Sequence, residues 1–522
     1  MRPFLRAPLL AGVRGRLLAP ALAAVLAAVA VLTHASGGDL AAATYRIDLF
    51  RQVGLALWDS NWYAGHWTLD YSLLFAPIGA TLGVAATNIL CATVAAWAFD
   101  RLVAPRFGTL GHAAAVLFAA GTIVQVAVGR VPYLLGGTLA LLALLVAMRR
   151  LWPLAVPLAL AAALASPLAG AFLALAAATW FLADLPRVNW RAVLLGAAAV
   201  LPVIVLEALF PGQGTMPFAT LDFIDMAAPV AIVLVLSDQR ELRIGAGLYA
   251  LAVLAAYVIP SSLGVNVVRL ATSVGLSVLA LLVPALVRPR RHAWAVRTLF
   301  LAAVVSLALG EWVPAGGALL GSPNPEASAG YFKPLMSYLV AHDNPLGRIE
   351  VVPTATHWES VYVALRLPLA RGWERQLDTQ DNPIFYVPGR LNARSYHAWL
   401  VANGVRYVAL ANAPLDYIAG PEKALLRGRH VPGLRLVWSD RNWSVWSVAG
   451  AAGIVSGPGR LVSERGQQLV LDARRAGALL VRVHFSSGWV VQAGAASLRK
   501  SAGGWLRVDV RRPGRVALSV SV

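Results

Sequence analysis

Between His34 and Leu73 a largely apolar stretch of chain is interrupted by HASGGDLAAATYRIDLFRQVGLALWDSNWYAGHWTLDYSL. In this loop Asp39, Asp48, Asp59 and Asp70 alternate with Arg46, Arg51 and His66 and with Tyr45, Trp58, Trp62, Tyr63, Trp67 and Tyr71. A charge entering hydrocarbon costs at least about 2.5–3.5 kcal/mol and is kept mainly where it works or pairs. Asp48 has pairing partners to hand in Arg46 and Arg51. Two more arginines stand at the ends of apolar stretches, Arg130 in VGRVPYLLGG and Arg269 in SSLGVNVVRLA beside Asn266, while Glu207, Asp222 and Asp225 flank PGQGTMPFAT. A loop carboxylate, arginines and apolar walls could form a cavity at a membrane surface. Plainer roles exist for each: arginines snorkel to headgroups, and aromatic residues anchor interfaces.

The elements that must position these residues are membrane helices. Of 522 residues, 58% are hydrophobic and 13% charged, against roughly 45–50% and about 25% in a typical soluble domain. A disordered chain lacks that much apolar surface. Apolar windows near the roughly 17–25 residues of a crossing helix occupy 17–33, 74–99, 110–128, 131–148, 151–165, 168–183, 192–210, 223–237, 244–260, 267–287 and 293–313. Ser166 and Pro167 divide one apolar run, giving either two short helices or one kinked helix. With eleven crossings and the amino terminus inside, 16 of the first 20 arginines face the cytoplasm and only Arg46, Arg51, Arg130 and Arg269 lie outside. That asymmetry satisfies the positive-inside rule and places everything after Val313 outside. The first window also reads as a signal peptide, with Arg14 and Arg16 before it and THASGG behind.

The formal net charge of +19 thus divides. Sixteen arginines orient helices, 24 basic residues belong to the carboxyl-terminal part, and the four exterior arginines point toward an anionic lipid substrate. No aromatic-basic RNA motif or Lys/Arg block accompanies the charge, which argues against nucleic acid. The single cysteine, Cys91, allows no intrachain disulfide. Arginine-rich, lysine-poor, alanine-rich usage suggests a GC-rich bacterial genome.

Three domains are expected: a transmembrane module over 1–313 containing the 34–73 loop, an exterior α/β domain over 314–449 and an exterior β-sandwich over 450–522. Residues 48–57 are expected to form a short interfacial helix from the spacing of Leu49, Val53 and Leu57. A Gly/Pro-rich linker, PAGGALLGSPNPEASAG, opens the second part. Helices are expected over 331–342 and 395–403, with strands over 348–352, 406–410, 434–438 and 443–448. The alternating runs LLVRVHF, WLRVDV and RVALSVSV read as the sandwich. In the polar and aromatic stretch RIEVVPTATHWESVYVALRLPLARGWERQLDTQDNPIFY, His357 and Glu359 are candidates to contact a sugar, beside the alternative of a buried structural network.

This arrangement resembles the GT-C superfamily of integral membrane glycosyltransferases: many helices, an acidic first exterior loop and an exterior carboxyl-terminal domain. The stretch YRIDLFRQVGLALWDSNWYAGHWTLDYSLLFAPIGATLG is similar to that loop and second helix in bacterial members. GRVPYLLGG and LGVNVVRLA are similar to their helix-end patterns. The adjacent Asp-Glu pair of some mannosyltransferase branches and the WWD-type motif of oligosaccharyltransferases are absent. The resemblance implies a polyprenyl-phosphate sugar donor, a glycan, lipid or protein acceptor in the cell envelope, and a bacterial plasma membrane location. It implies Asp48 as general base and Arg130 and Arg269, with Arg51 and His66, as binders of the donor phosphate. Tyr63 and Asp70 join His357 and Glu359 as acceptor or sugar contacts. Attack assisted by Asp48 inverts the anomeric centre; a retaining scheme pairing Asp48 with Asp59 or Asp70 stays open. Some members use a divalent cation, and an Asp48–His66 grouping is too loose to define a site. The alternatives are a transporter or flippase of lipid-linked saccharide and an inactive scaffold for envelope assembly.

Overall fold

A computed structural model describes residues 13–69, 71–212, 214–289, 291–322, 324–342, 346–428 and 431–521. The chain divides into two compact units: Met1–Gly37, Asp70–Pro211 and Thr215–Pro323 form the first, and Gly38–Leu69, Gly212–Gly214 and Asn324–Val522 the second.

The first unit is helical. Among the described residues eight helices are long and apolar enough to cross a membrane, Val13–Leu32, Thr109–Val128, Val131–Met148, Pro167–Asp184, Trp190–Leu209, Arg240–Val258, Arg269–Leu286 with the turn before it, and Ala293–Leu320. A ninth crossing is reached if Phe75–Leu82 and Val84–Phe107, bent by 109° at Gly83, count as one. Eleven full crossings were expected. The 151–165 and 223–237 windows instead give helices of 14 and 10 residues, Trp152–Ala165 and Ala227–Leu236. At 1.5 Å per residue these are about 21 and 15 Å long, short of a hydrocarbon core of about 30 Å.

Ser166 separates two helices. Its side chain accepts from the Ala169 amide as N-cap of Pro167–Asp184, and a Cβ built on Gly170 would lie 2.7 Å from Ala163 Cβ. In a continuous helix seven residues rise about 10 Å, so the chain turns sharply there. Small residues permit such close approach, which drives helix association where water does not. Gly136 meets Ser166 and Ala169 in the same way, and Gly111 meets Ala104. The last helix runs through Pro314 to Leu320, so part of the expected linker is helical: Ala315 and Ala318 are buried while a Cβ at Gly316 or Gly317 would meet nothing.

The second unit contains the 38–69 segment, which had been assigned to the membrane module. Its helix spans Asp39–Val53 rather than 48–57, ending where Gly54 adopts φ 73°. Ala41, Ala42, Tyr45 and Leu49 recur at helical spacing and join Trp62 and Tyr63 in a core with Phe332, Ile349, Trp358 and Trp443. These aromatic rings fill a core rather than anchor an interface. Four strands follow the order Arg348–Val351, Val405–Ala411, Trp443–Val448, Leu434–Ser439, the first pair parallel and the others antiparallel. Helix Ala393–Ala402 starts on a capping box, with Asn392 bonding the Ser395 amide and Ser395 Oγ accepting from the Asn392 amide. Beyond Val455, two four-stranded sheets, one centred on Trp505–Val510 and Gly477–His484 and the other on Gly514–Val520 and Gln468–Ala473, enclose a shared core of Leu469, Leu471, Leu479, Val481, Leu506, Val508 and Leu518. Alternate residues point inward along each strand, the pattern of a sandwich.

Candidate functional site

In the first unit, Arg269 packs against Tyr133, which lies one turn beyond Arg130 in the chain. Helix Thr109–Val128 ends with Gly129 in the left-handed region at φ 89°, its N–H bonded to the Gln125 and Val126 carbonyls. Glycine adopts this cap without strain. Arg130 becomes the N-cap of Val131–Met148, with a proline in that helix's first turn. Tyr133 lies one turn further on. Arg269 opens its own helix after the 3-10 turn Gly264–Val268, and its guanidinium carbon lies 5.9 Å from the Tyr133 ring centre. The Tyr133 hydroxyl bonds the Arg269 carbonyl at 3.4 Å and Ser273 Oγ at 3.2 Å.

Tyr133 also borders a cavity of about 210 Å³ whose wall is mostly apolar, including Leu134, Phe172 and Leu270, with Ser273 and Gln125 among its few polar groups. Gln125 is 4% exposed, and among the described residues neither of its side-chain amide atoms has a hydrogen-bond partner. One turn away Gly121 packs against the carboxyl of Glu311, itself buried in the last helix. Neither residue was singled out in the sequence. The available signal was a carboxylate and an amide inside apolar windows, SLALGEWVP and TIVQVAV.

In the second unit, Asp48 lies on the Asp39–Val53 helix with its side chain 30% exposed, and Arg51 Nη1 donates to Asp48 Oδ1 at 3.1 Å. Asp48 is therefore paired with a neighbour one turn along its own helix. Arg51 is 52% exposed and partners Asp48. Asp70 lies outside the described residues. His66 does not present itself to solvent: it is 7% exposed, stacked on Trp62 and 3.8 Å from Glu374. Burial, helped by Arg46 and opposed by Asp59, lowers its pKa to about 4. The imidazole is thus neutral, and its approach to Glu374 is not an ion pair.

Around His66 lies a network that ties the 38–69 segment to residues 350–386. Arg46 pairs with Glu374. The Tyr63 hydroxyl accepts from the Glu374 amide at 2.9 Å and donates to its carbonyl at 3.2 Å. Tyr45 donates to Asp59 at 2.7 Å. Burial raises the carboxyls of Asp59 and Glu374, against the opposing charge of Arg46.

His357 and Glu359 lie in a second part of this network. His357 Nε2 is 3.0 Å from Asp416 and Nδ1 is 3.4 Å from Glu359, while Thr354 Oγ1 donates to Glu359 at 2.6 Å. Trp373 stacks on the imidazole at 3.5 Å. Burial disfavours the charged forms, yet the His357 bond and Arg375 at 2.6 Å hold Asp416 well below the usual carboxylate range, and the two acids raise His357. His357 and Tyr63 both have positive φ, 57° and 54°, a conformation L-residues keep only where surroundings enforce it. His357 and Glu359 are thus buried members of this hydrogen-bonded network. Glu374, Asp59 and Asp416, its other members, were not among the expected site residues.

Asp48 and His66 take different partners, and among the described residues no three His, Cys, Asp or Glu side chains group as a metal site. No protein-family model and no curated protein matches the chain. Among solved structures, the chain is similar to the arabinofuranosyltransferase AftD from mycobacteria, with TM-score 0.44 and 16% identity over 88% of this chain. It spans 41% of the length of that structure.

Proposed function

We propose that the protein is an integral membrane glycosyltransferase that takes a sugar from a polyprenyl-phosphate donor and transfers it to an envelope glycan, lipid or protein on the exterior face of a bacterial plasma membrane. The observation that carries this reading is Arg269 packed against Tyr133, with Arg130 capping the same helix one turn earlier, beside an apolar cavity in the helical unit. Cationic groups next to an apolar hollow suit a ligand with an anionic head and a hydrocarbon tail. Guanidinium groups bind phosphate with directional, charge-assisted bonds.

In the reaction the acceptor oxygen attacks the anomeric carbon and gives its proton to Asp48. The bond from that carbon to the phosphate oxygen breaks, and the phosphate leaves with the electron pair. Guanidinium groups beside it stabilise the charge it gains, and the anomeric centre inverts. Arg51 holds Asp48 in place through their 3.1 Å bond. The proposed topology has the amino terminus inside and the chain after Val313 outside.

Binding of a fluorescent polyprenyl phosphate to the purified protein tests the reading. Arg130→Gln with Arg269→Gln weakens it at least tenfold and leaves binding of the uncharged polyprenol unchanged. Equal loss for both lipids, or for neither, defeats it. A flippase of lipid-linked saccharide is the second reading, favoured by Glu311 and Gln125 buried among helices. Transport without sugar transfer in reconstituted vesicles would support it.

A further inference from the structure

The four-stranded sheet of the second unit carries a separate concavity, on the face where Leu410, Leu434 and Trp446 pack. It has a volume of about 630 Å³ and lies among the ends of Val405–Ala411, Leu434–Ser439 and Trp443–Val448 and the helix Gly420–Arg427. Three arginines border it: Arg427 in the last turn of that helix, Arg435 on the edge strand, and Arg441 in the turn joining the two final strands. All three are exposed, and among the described residues none has a carboxylate partner. Asp440, the one acidic residue among the described residues of the wall, is engaged by backbone, its Oδ1 accepting from the Asn442 and Trp443 amides at 2.8 and 2.7 Å. It fixes the turn that presents Arg441, and three arginines against one carboxylate leave the described wall with a net charge of +2.

Like charges around a concave, partly apolar wall focus the potential and raise the local concentration of anions. The remaining lining adds two features that a bare phosphate does not use. Trp446, half-buried, and Leu434 supply an apolar floor, and Asn412 supplies a side-chain amide on the rim. A sugar presents an apolar face to a ring and hydroxyls to an amide, and a carboxylate or phosphate on it meets guanidinium in bidentate fashion. The volume falls in the range of about 300–1,000 Å³ common for small-ligand sites. We infer that this concavity is a binding site for an acidic saccharide, bearing either a uronate or a phosphate group. It involves none of the residues assigned to sugar transfer and does not depend on that assignment.

The test uses the full chain in nanodiscs of zwitterionic lipid, titrated by calorimetry with tetragalacturonate, glucose 6-phosphate, a neutral galactose tetramer and inorganic phosphate. At least one acidic saccharide binds tenfold or more tightly than both the neutral tetramer and inorganic phosphate; which one separates the uronate source from the phosphate source. Arg435→Gln with Arg441→Gln weakens that binding at least tenfold without moving the unfolding midpoint, and the corresponding lysine variant retains most of it. Arg441→Gln alone, in an exposed turn, gives a smaller loss in the same direction and serves where the double variant does not fold. Equal binding of acidic and neutral saccharides, or of inorganic phosphate and acidic saccharide, overturns the inference. So does a pair of arginine substitutions that alters attachment to anionic-lipid vesicles while saccharide binding stays as it was.

Discussion

Replacing Arg46 by methionine removes the cation from a buried pair and leaves Glu374 without it. Both residues are 8% exposed, so water replaces little of what is lost. Breaking one side of a buried pair typically costs about 3–5 kcal/mol. The cost depends on pH in a definite direction. Burial already raises the Glu374 carboxyl, and Arg46 is the charge that opposes the rise; without it the pKa climbs further. A carboxyl whose folded pKa exceeds its unfolded value contributes stability in full below the unfolded value, and loses it as pH rises through the folded one. Arg46→Met is therefore most destabilising near pH 8 and recovers toward pH 5. At about 2–4 °C per kcal/mol for a unit of about 150–250 residues, the midpoint at pH 8 falls by about 6–20 °C. Thermal unfolding of the detergent-solubilised chain, followed by tryptophan fluorescence, reads this directly, since Trp62 lies 5.7 Å from the Arg46 guanidinium carbon. Adding Glu374→Gln restores much of the loss, because an amide needs no counter-charge. A shift under about 4 °C at both pH values, or an equal shift at both, would refute the reasoning.

Three further outcomes follow from the same geometry. His66, with its pKa lowered to about 4, contributes stability that is present above about 6.5 and is lost as pH falls toward 4, at about 1.4 kcal/mol per unit; His66→Gln lessens the acid slope of unfolding by that amount, and an unchanged slope counts against a neutral buried His66. Gly121→Val drives a side chain into the Glu311 carboxyl and costs about 1–3 kcal/mol; Glu311→Ala in the same chain recovers most of this in thermal unfolding, and additive losses would disprove the contact. Tyr133→Leu removes the ring beneath Arg269, worth about 0.5–2 kcal/mol. It therefore weakens binding of the polyprenyl phosphate by about 2- to 30-fold, whereas Tyr133→Phe, which keeps the ring, has a smaller effect; equal effects would leave the ring without a role.

What could be read from the chain follows the range of the interactions concerned. Strands Arg348–Val351 and Trp443–Val448 and the sandwich announce themselves because alternation is local. The position of Arg130 was legible too, since Gly129 and Pro132 mark one helix end and the next start within four residues. Helix Asp39–Val53 was misplaced because Ala41 and Ala42, weak markers of an apolar face, gain their meaning only from packing beside Trp62 and Trp358. The same limit hid the buried network. Arg46 and Glu374 are 328 residues apart, and His66 is buried against Trp62 and near Glu374, the latter a residue that local pattern does not connect with it. Glu311 was legible by cost alone, as a carboxylate within an apolar helix, but its neighbour Gly121 was not.

The central claim is tested most directly by following sugar transfer from a radiolabelled polyprenyl-phosphate donor with wild type and Asp48→Asn, while measuring donor binding and the unfolding midpoint on the same preparations. A general base contributes about 10²–10⁴-fold to the rate. Asp48→Asn is expected to lower kcat by that factor with donor affinity and midpoint unchanged. Transfer within threefold of the wild-type rate would contradict the account.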